Sequence, residues 1–158
     1  MPFIYESKNF RIEAPEKCHV SRADGGHLII RPKKETERRR NFSPKKATEL
    51  MRLSMIFGEA LDKGLNKRGI KVERINFQDN GNWRIGTRKH PHAHLHLYGR
   101  AKNSKNQKHG EALYFPDKKT KFWLRLKPLN QEDIEVILKE VKKIENRKKY
   151  DLRAWGLS

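Results

Sequence analysis

The segment HPHAHLHLYGR, residues 90–100, places His90, His92, His94 and His96 at every second position, with Ala93, Leu95 and Leu97 in the later gaps. In an extended chain alternate side chains leave opposite faces, so this spacing predicts a strand with four imidazoles on one face and an apolar stripe on the other. A helix would scatter the rings, because a step of two residues turns it through about 200°. The apolar face of such a strand needs a covering layer, and the imidazole face then looks into a cleft.

The flanking sequence offers that layer. Phe3 to Ser7 and Phe10 to Ala14 alternate apolar with polar residues around a Lys8-Asn9 turn, the pattern of a strand pair. Asp24-Gly25-Gly26 signals a turn into His27-Leu28-Ile29-Ile30-Arg31, a strand closed by Pro32. Ser43-Pro44 opens a helix, Ser as N-cap acceptor and Pro at a first position that needs no N–H. Leu50, Leu53, Phe57, Ala60 and Leu61 form its apolar face, which ends near Gly64 or Gly69. Lys71 to Phe77 alternates as a further strand, and residues 102–110, KNSKNQKHG, are expected to be a flexible loop. A last helix, about 131–147, has Asn130 as cap, acids in its first turn, bases in its last, and a stripe of Ile134, Ile137, Leu138, Val141 and Ile144. Strands, helix, strands, helix reads as α+β with an antiparallel sheet, and no linker divides residues 1–158 into two domains.

Composition narrows the partners. Thirty-seven Lys and Arg against nineteen Asp and Glu leave a formal charge of +18, a potential that draws phosphates of nucleotides, nucleic acids or anionic lipids. Cys18 is the only cysteine, which excludes an intrachain disulfide and a Cys-rich zinc module and suits a cytoplasmic protein. No run of about 18 apolar residues, the length of a membrane span, occurs, so no membrane partner is expected.

Three chemistries suit the histidine row. A solvated His-rich edge is the plain one. A metal site is the second, but neighbours on one strand face stand about 6 to 7 Å apart, so a closed site would draw on His19, His27 or Cys18 as well. The third is nucleophilic catalysis at phosphorus: a neutral imidazole attacks without activation, crowding keeps a ring neutral, and the remaining rings donate to phosphate oxygens and the leaving group.

The stretch from Gly26 to Arg100 resembles the histidine triad (HIT) superfamily: GHLIIRPKK beginning on His, SPKKATELM and GEAL in a helix, RINF with its Asn, and then His-φ-His-φ-His-φ-φ. Starting the signature at His92 gives Ala93, Leu95, Leu97 and Tyr98 at its apolar places, whereas starting at His90 would put His96 at one. The resemblance implies a HIT-like core over about 26–100, with residues 101–158 as a C-terminal extension. It implies His94 as the nucleophile that takes the α-phosphate of a nucleotide, His96 at the phosphate and leaving group, His92 orienting its neighbours, and His27 as the fourth histidine. Asn76 matches the phosphate-side Asn, with Asn80 and Asn82 as alternatives. Two departures stand out. The small Gly-Gln-Ser/Thr segment before the triad is replaced by Gly86-Thr87-Arg88-Lys89-His90-Pro91, passing its role to Thr87 or Lys89; and His19 stands eight residues before His27, where the family has an Asp or Asn for the ribose hydroxyls.

The expected function is a nucleotide hydrolase or nucleotidyl transferase acting on a phosphoramidate, nucleotidyl ester or dinucleoside polyphosphate, with no cofactor. One alternative is a nucleic-acid-binding HIT protein acting on adenylated or capped strand ends, for which KKTKFWLRLK, 118–127, interleaves Phe122 and Trp123 with bases; the same alternation also suits an ordinary amphipathic strand. The other alternative is a metal-binding protein. The resemblance also implies a homodimer, with Trp155 either reaching the partner or packing on its own domain.

Overall fold

The structure is a computed structural model and describes residues 3–158. Strands β1 (Phe3–Glu6), β2 (Phe10–Glu13), β3 (His27–Pro32), β4 (Val72–Gln78) and β5 (Leu95–Ala101) form one antiparallel sheet in the order β1-β2-β3-β5-β4. Helix α1 (Pro44–Lys67) packs on the sheet and helix α2 (Gln131–Glu145) packs on α1. The fold is α+β, with the covering helix and the additional C-terminal helix that the apolar periodicities predict. No described helix is long and apolar enough to cross a membrane.

Local chemistry sets the helix ends. The Ser43 hydroxyl accepts from the Lys46 N–H at 3.2 Å with Pro44 in the first turn. Asn130 and Asp133 cap α2 reciprocally: the Asn130 side chain accepts from the Asp133 N–H at 2.9 Å, and the Asp133 carboxylate accepts from the Asn130 N–H at 3.1 Å. The fully buried Asp133 carboxylate also accepts from Arg22 at 2.6 and 2.8 Å and from Arg68 at 3.1 Å, so the cap locks α2 to the 3-10 turn that precedes β3 and to the end of α1.

Alternation in β3 and β5 divides the sheet. Leu28, Ile30 and Leu97 enter the core with Phe10, Ile12, Leu53, Phe57, Leu61, Ile137 and Val141, each fully buried apolar side chain stabilising the fold by about 1.5–3 kcal/mol. His27, Ile29, Arg31, His96 and Tyr98 leave the opposite face. Before β3, Gly25 and Gly99 meet backbone to backbone: a Cβ on Gly99 would lie 1.9 Å from the Gly25 carbonyl oxygen, and the Gly99 N–H donates to the Gly26 carbonyl at 3.1 Å. That approach brings His27 in beside β5.

Four expectations change. Only His96 of the four histidines lies inside a strand, because ladder pairing begins at Leu95; His92 and His94 precede it in extended chain held by the Ala93 N–H donating to the Thr36 carbonyl at 2.7 Å. His90 is exposed in irregular chain and leaves the shared face. Residues 102–110 are not a free loop: buried Asp24 accepts from the Ser104 hydroxyl, the Lys105 and Asn106 N–H groups and the Asn106 side chain at 2.7–3.3 Å. The 118–127 stretch is no amphipathic strand, since Lys121–Arg125 is a 3-10 turn with Phe122 buried and Leu124 84% exposed. Its exit is fixed by Lys127, whose N–H donates to the Ser21 hydroxyl and whose carbonyl accepts from the Arg22 N–H, both at 2.8 Å. Trp155 stacks on Tyr150 of its own chain, with centroids 6.3 Å apart, and donates to the Lys149 carbonyl at 2.8 Å.

Candidate active site

A row of rings runs along the face opposite the helices. His92 to His94 is 5.3 Å between centroids, His94 to His96 4.6 Å, and His96 to Tyr98 5.2 Å with the planes 9° apart. The alternation that starts at His92 therefore continues into Tyr98, and His90 is not its first member. His27 enters from β3, with its Nε2 2.8 Å from His96 Nδ1. The structure thus brings together His27, His92, His94 and His96.

Hydrogen-bond partners with only one possible role decide where the protons sit. The His19 backbone N–H donates to His27 Nδ1 at 3.1 Å, which leaves the His27 proton on Nε2. His27 Nε2–H donates to His96 Nδ1, so His96 keeps its own proton on Nε2, the nitrogen free for the cleft. The His92 carbonyl can only accept, so at 2.8 Å it takes the Nδ1–H of His94 and leaves a lone pair on His94 Nε2. Arg31 can only donate, and its guanidinium meets His92 Nε2 at 2.7 Å while pairing with Glu13 at 3.3 Å. The row thus holds one ring with an available lone pair beside one with an available N–H.

Burial is the largest cause that holds these rings neutral. It lowers His19 to about 4 and His96 to about 2, and lowers His27, His92 and His94 from the ordinary imidazole value, with repulsion from neighbouring rings or from Arg31 and Lys118 adding to it. Burial also pushes the Tyr98 phenol up, so it remains a proton donor at neutral pH.

The rings open on a cleft of about 590 Å³. Lys17, Arg31, Arg84 and Lys118 line it against one acid, Glu16, a balance that favours an anion. Of the further sequence-derived candidates, His19 and Asn82 line the cleft. Asn76 does not: it lies opposite Tyr98 on β4 and its side-chain oxygen accepts from Arg100 at 2.9 Å, in a separate depression. Asn80 is the one that reaches inward, its amide donating to the Tyr98 hydroxyl at 3.1 Å. Thr87 and Lys89 stay outside the lining; the Thr87 hydroxyl donates to the carbonyls of Arg84 and Lys89 at 2.8 and 3.3 Å. Sequence reasoning missed Arg31, Tyr98, Trp83, Phe115 and Lys118. The first two continue the alternations of His27 and His96, a signal present in the sequence; the last three come from loops without periodicity.

One metal-competent set exists among the described residues: His19, His27 and His96 each bring a ring nitrogen within 4.8 Å of the others. Both His27 nitrogens are already engaged, so a cation held by His27 would have to displace either the His19 N–H or the His96 ring from it. Cys18 is buried, and burial pushes its thiol up to about 11, leaving no thiolate to join them.

No protein-family model matches the chain, and no curated protein does either. Solved structures do. A hypothetical histidine triad nucleotide-binding protein from Sulfolobus tokodaii superposes with a TM-score of 0.61 at 16% identity, covering 94% of this chain and 88% of that one. A Zn-bound histidine triad family protein from Mycobacterium smegmatis gives 0.56 at 17% identity, over 92% and 88%. A Hit-like protein involved in cell-cycle regulation from Bartonella henselae gives 0.56 at 14% identity, over 89% and 87%. The architecture is the histidine triad fold.

Proposed function

We propose that the protein is a histidine triad nucleotide hydrolase or nucleotidyl transferase that cleaves at the α-phosphate through a covalent nucleotidyl-His94. The observation that carries this reading is the bond from His94 Nδ1–H to the His92 carbonyl, which aims a neutral lone pair on Nε2 into a cationic cleft. Nε2 attacks the α-phosphorus, the bond from phosphorus to the leaving group breaks, and that group departs with its electron pair. His96 Nε2–H donates a hydrogen bond to the departing oxygen. Water then attacks the phosphorus, the N–P pair returns to His94, a nucleoside monophosphate leaves, and the surplus water proton passes to solvent.

The relay behind His96 ends on a backbone amide and contains no carboxylate. His96 therefore supplies a hydrogen bond better than a whole proton, which suits leaving groups that depart as anions. Phosphoanhydrides, such as dinucleoside polyphosphates, fit this better than phosphoramidates or alkyl esters. The test is rapid quench with substrate labelled at the α-phosphate: wild type accumulates a labelled enzyme, and His94→Ala forms none and releases no nucleoside monophosphate. Full turnover by that variant would overturn the reading.

A second reading places the substrate at the end of a nucleic-acid strand. Trp83 and Trp123 stand 5.3 Å apart near the mouth, with the Lys118 ammonium 4.7 Å over the Trp83 ring, and the chain carries +18. Aromatic faces interleaved with bases stack single strands without sequence preference. Affinity for a short strand should then fall with salt at a log–log slope of about −0.7 per phosphate contacted, and absence of binding at low salt removes this reading.

A further inference from the structure

Tyr98 ends the row of rings and begins a second relay. Its hydroxyl lies 2.7 Å from His19 Nδ1 and accepts from the Asn80 amide at 3.1 Å. The phenol has one proton to give, and with Asn80 donating to it that proton goes to His19 Nδ1. His19 is then the tautomer with its own proton on Nε2, a nitrogen with no partner among the described residues, on a ring that lines the cleft. The ring is held on several sides, with centroids 4.8 Å from His27 at 27°, 5.1 Å from Trp83 in a T-shaped pair, 5.5 Å from Phe115 and 5.7 Å from Trp123.

We propose that His19 is a second phosphoryl-oxygen donor, set in that role by the Asn80–Tyr98 relay, so that the substrate phosphate is gripped by two neutral imidazole N–H groups, His19 Nε2–H and His96 Nε2–H. This deepens the function proposed above and rests on its placing of a phosphate in the cleft. A carboxylate at position 19 would accept hydrogen bonds from a sugar diol. An imidazole whose Nδ1 is occupied can only donate, so its partner must be an acceptor. The His19 ring lies 5.1 Å from His96 and stacks on His27, at the phosphate-handling end of the cleft. Two fixed N–H dipoles stabilise phosphate charge without adding a titrating cation among crowded rings. His19 is then a catalytic residue; Tyr98 and Asn80 are positioning residues that act through its tautomer.

The experiment is ¹⁵N NMR of the histidine side chains in the full chain. Wild type should show His19 protonated on Nε2, and inorganic phosphate or a nucleoside monophosphate should shift that signal while adenosine, which carries the diol alone, should not. Tyr98→Phe keeps the ring and removes the hydroxyl, so it should release His19 from the single tautomer in a protein that still folds, with a small drop in melting temperature from the lost buried bonds. His19→Ala should weaken phosphate binding about 10-fold, and His19→Gln, which retains an N–H, should recover most of it. A His19 protonated on Nδ1, or one that responds to adenosine and not to phosphate, overturns the proposal. Turnover that persists while phosphate leaves His19 unmoved sinks this inference alone; a phosphate shift in a protein that turns nothing over sinks the reaction and leaves the inference standing.

Discussion

Residues 84–91 and 92–98 adjoin in the chain and are held in opposite ways. The first segment closes on itself: Thr87 bonds to Arg84 and Lys89, and Arg84 donates to the His90 carbonyl at 3.0 Å. The second is tied to distant chain, His92 to Arg31, His96 to His27 and Tyr98 to His19 and Asn80. Sheet register therefore positions His96 and Tyr98, while the bonds of His92 to Arg31 and of Ala93 to Thr36 hold the extended chain that carries His92 and His94. The loop answers only to its own turns. Reaction chemistry belongs to the segment tied to distant chain and substrate fit to the loop, because a loop can change its side chains without disturbing a core.

Glycines probe the contrast most strongly. Gly25 has φ +129° and its added Cβ would meet the Gly99 backbone at 2.2 Å, where no side chain can yield. Gly86 has φ +74° and nothing within 4 Å. Gly25→Ala should cost more than about 3 kcal/mol and take the His27–His96 pairing with it. Gly86→Ala carries only the left-handed penalty of about 1–2 kcal/mol. Urea unfolding of both variants measures the gap, and equal costs would mean that the two supports do not differ.

Acid should act on the rings next. The folded values of His19, His27 and His96 lie below the unfolded imidazole value, so in the window between them the unfolded chain binds more protons. The stability these rings contribute is complete above about pH 6.5 and is lost as pH falls through that value toward the folded ones. Each ring contributes up to about 1.4 kcal/mol per pH unit in that window. Urea midpoints followed from neutral pH downward should drop, and His19→Phe should flatten the slope; a midpoint that stays level would show rings that titrate as if exposed.

A smaller effect concerns the sugar. If His19 donates to phosphate, position 19 offers no carboxylate to a sugar diol, and ribose and 2′-deoxyribose substrates should be processed within about threefold of each other in kcat/KM, since a hydroxyl without a dedicated partner discriminates little. His19→Asp should widen the ratio in favour of ribose. A wild-type enzyme that strongly rejects the deoxy substrate would place a diol clamp in the cleft.

Legibility in the sequence followed the same divide between local and distant support. The Ser43 and Asn130 caps and the apolar stripes of both helices are local signals, and they lie where the periodicity predicts. The one-sided row of His92, His94 and His96 was legible because alternation in extended chain is local too, whereas the arrival of His27 beside it depends on the pairing of β3 with β5. Asn76 stood for Asn80 because the choice depends on the register of β4 against β5, which puts Asn76 opposite Tyr98 and toward Arg100, and no residue pattern encodes that offset. The Asp24 hub, and the arrival of Trp83, Phe115 and Lys118 at the cleft, depend on where loops meet in space, so the polar composition of 102–110 read as mobility where the fold supplies an anchor.

His90 should give the smallest response and the sharpest contrast with its neighbours. It continues the spacing of the row, yet its ring is exposed and only its carbonyl is used, by Arg84. A backbone acceptor survives side-chain removal. His90→Ala should therefore leave nucleoside monophosphate release within about twofold of wild type, the usual range for a surface change. Thr87→Ala removes the hydroxyl that ties Arg84 to Lys89 and should act more, raising KM with kcat held, because loosening a loop at the mouth weakens substrate fit without touching His94. If His90→Ala instead lowered kcat, the ring would have to swing from the surface into the cleft during turnover, and the boundary between sheet-held chemistry and loop-held fit would lie before residue 90 rather than after it.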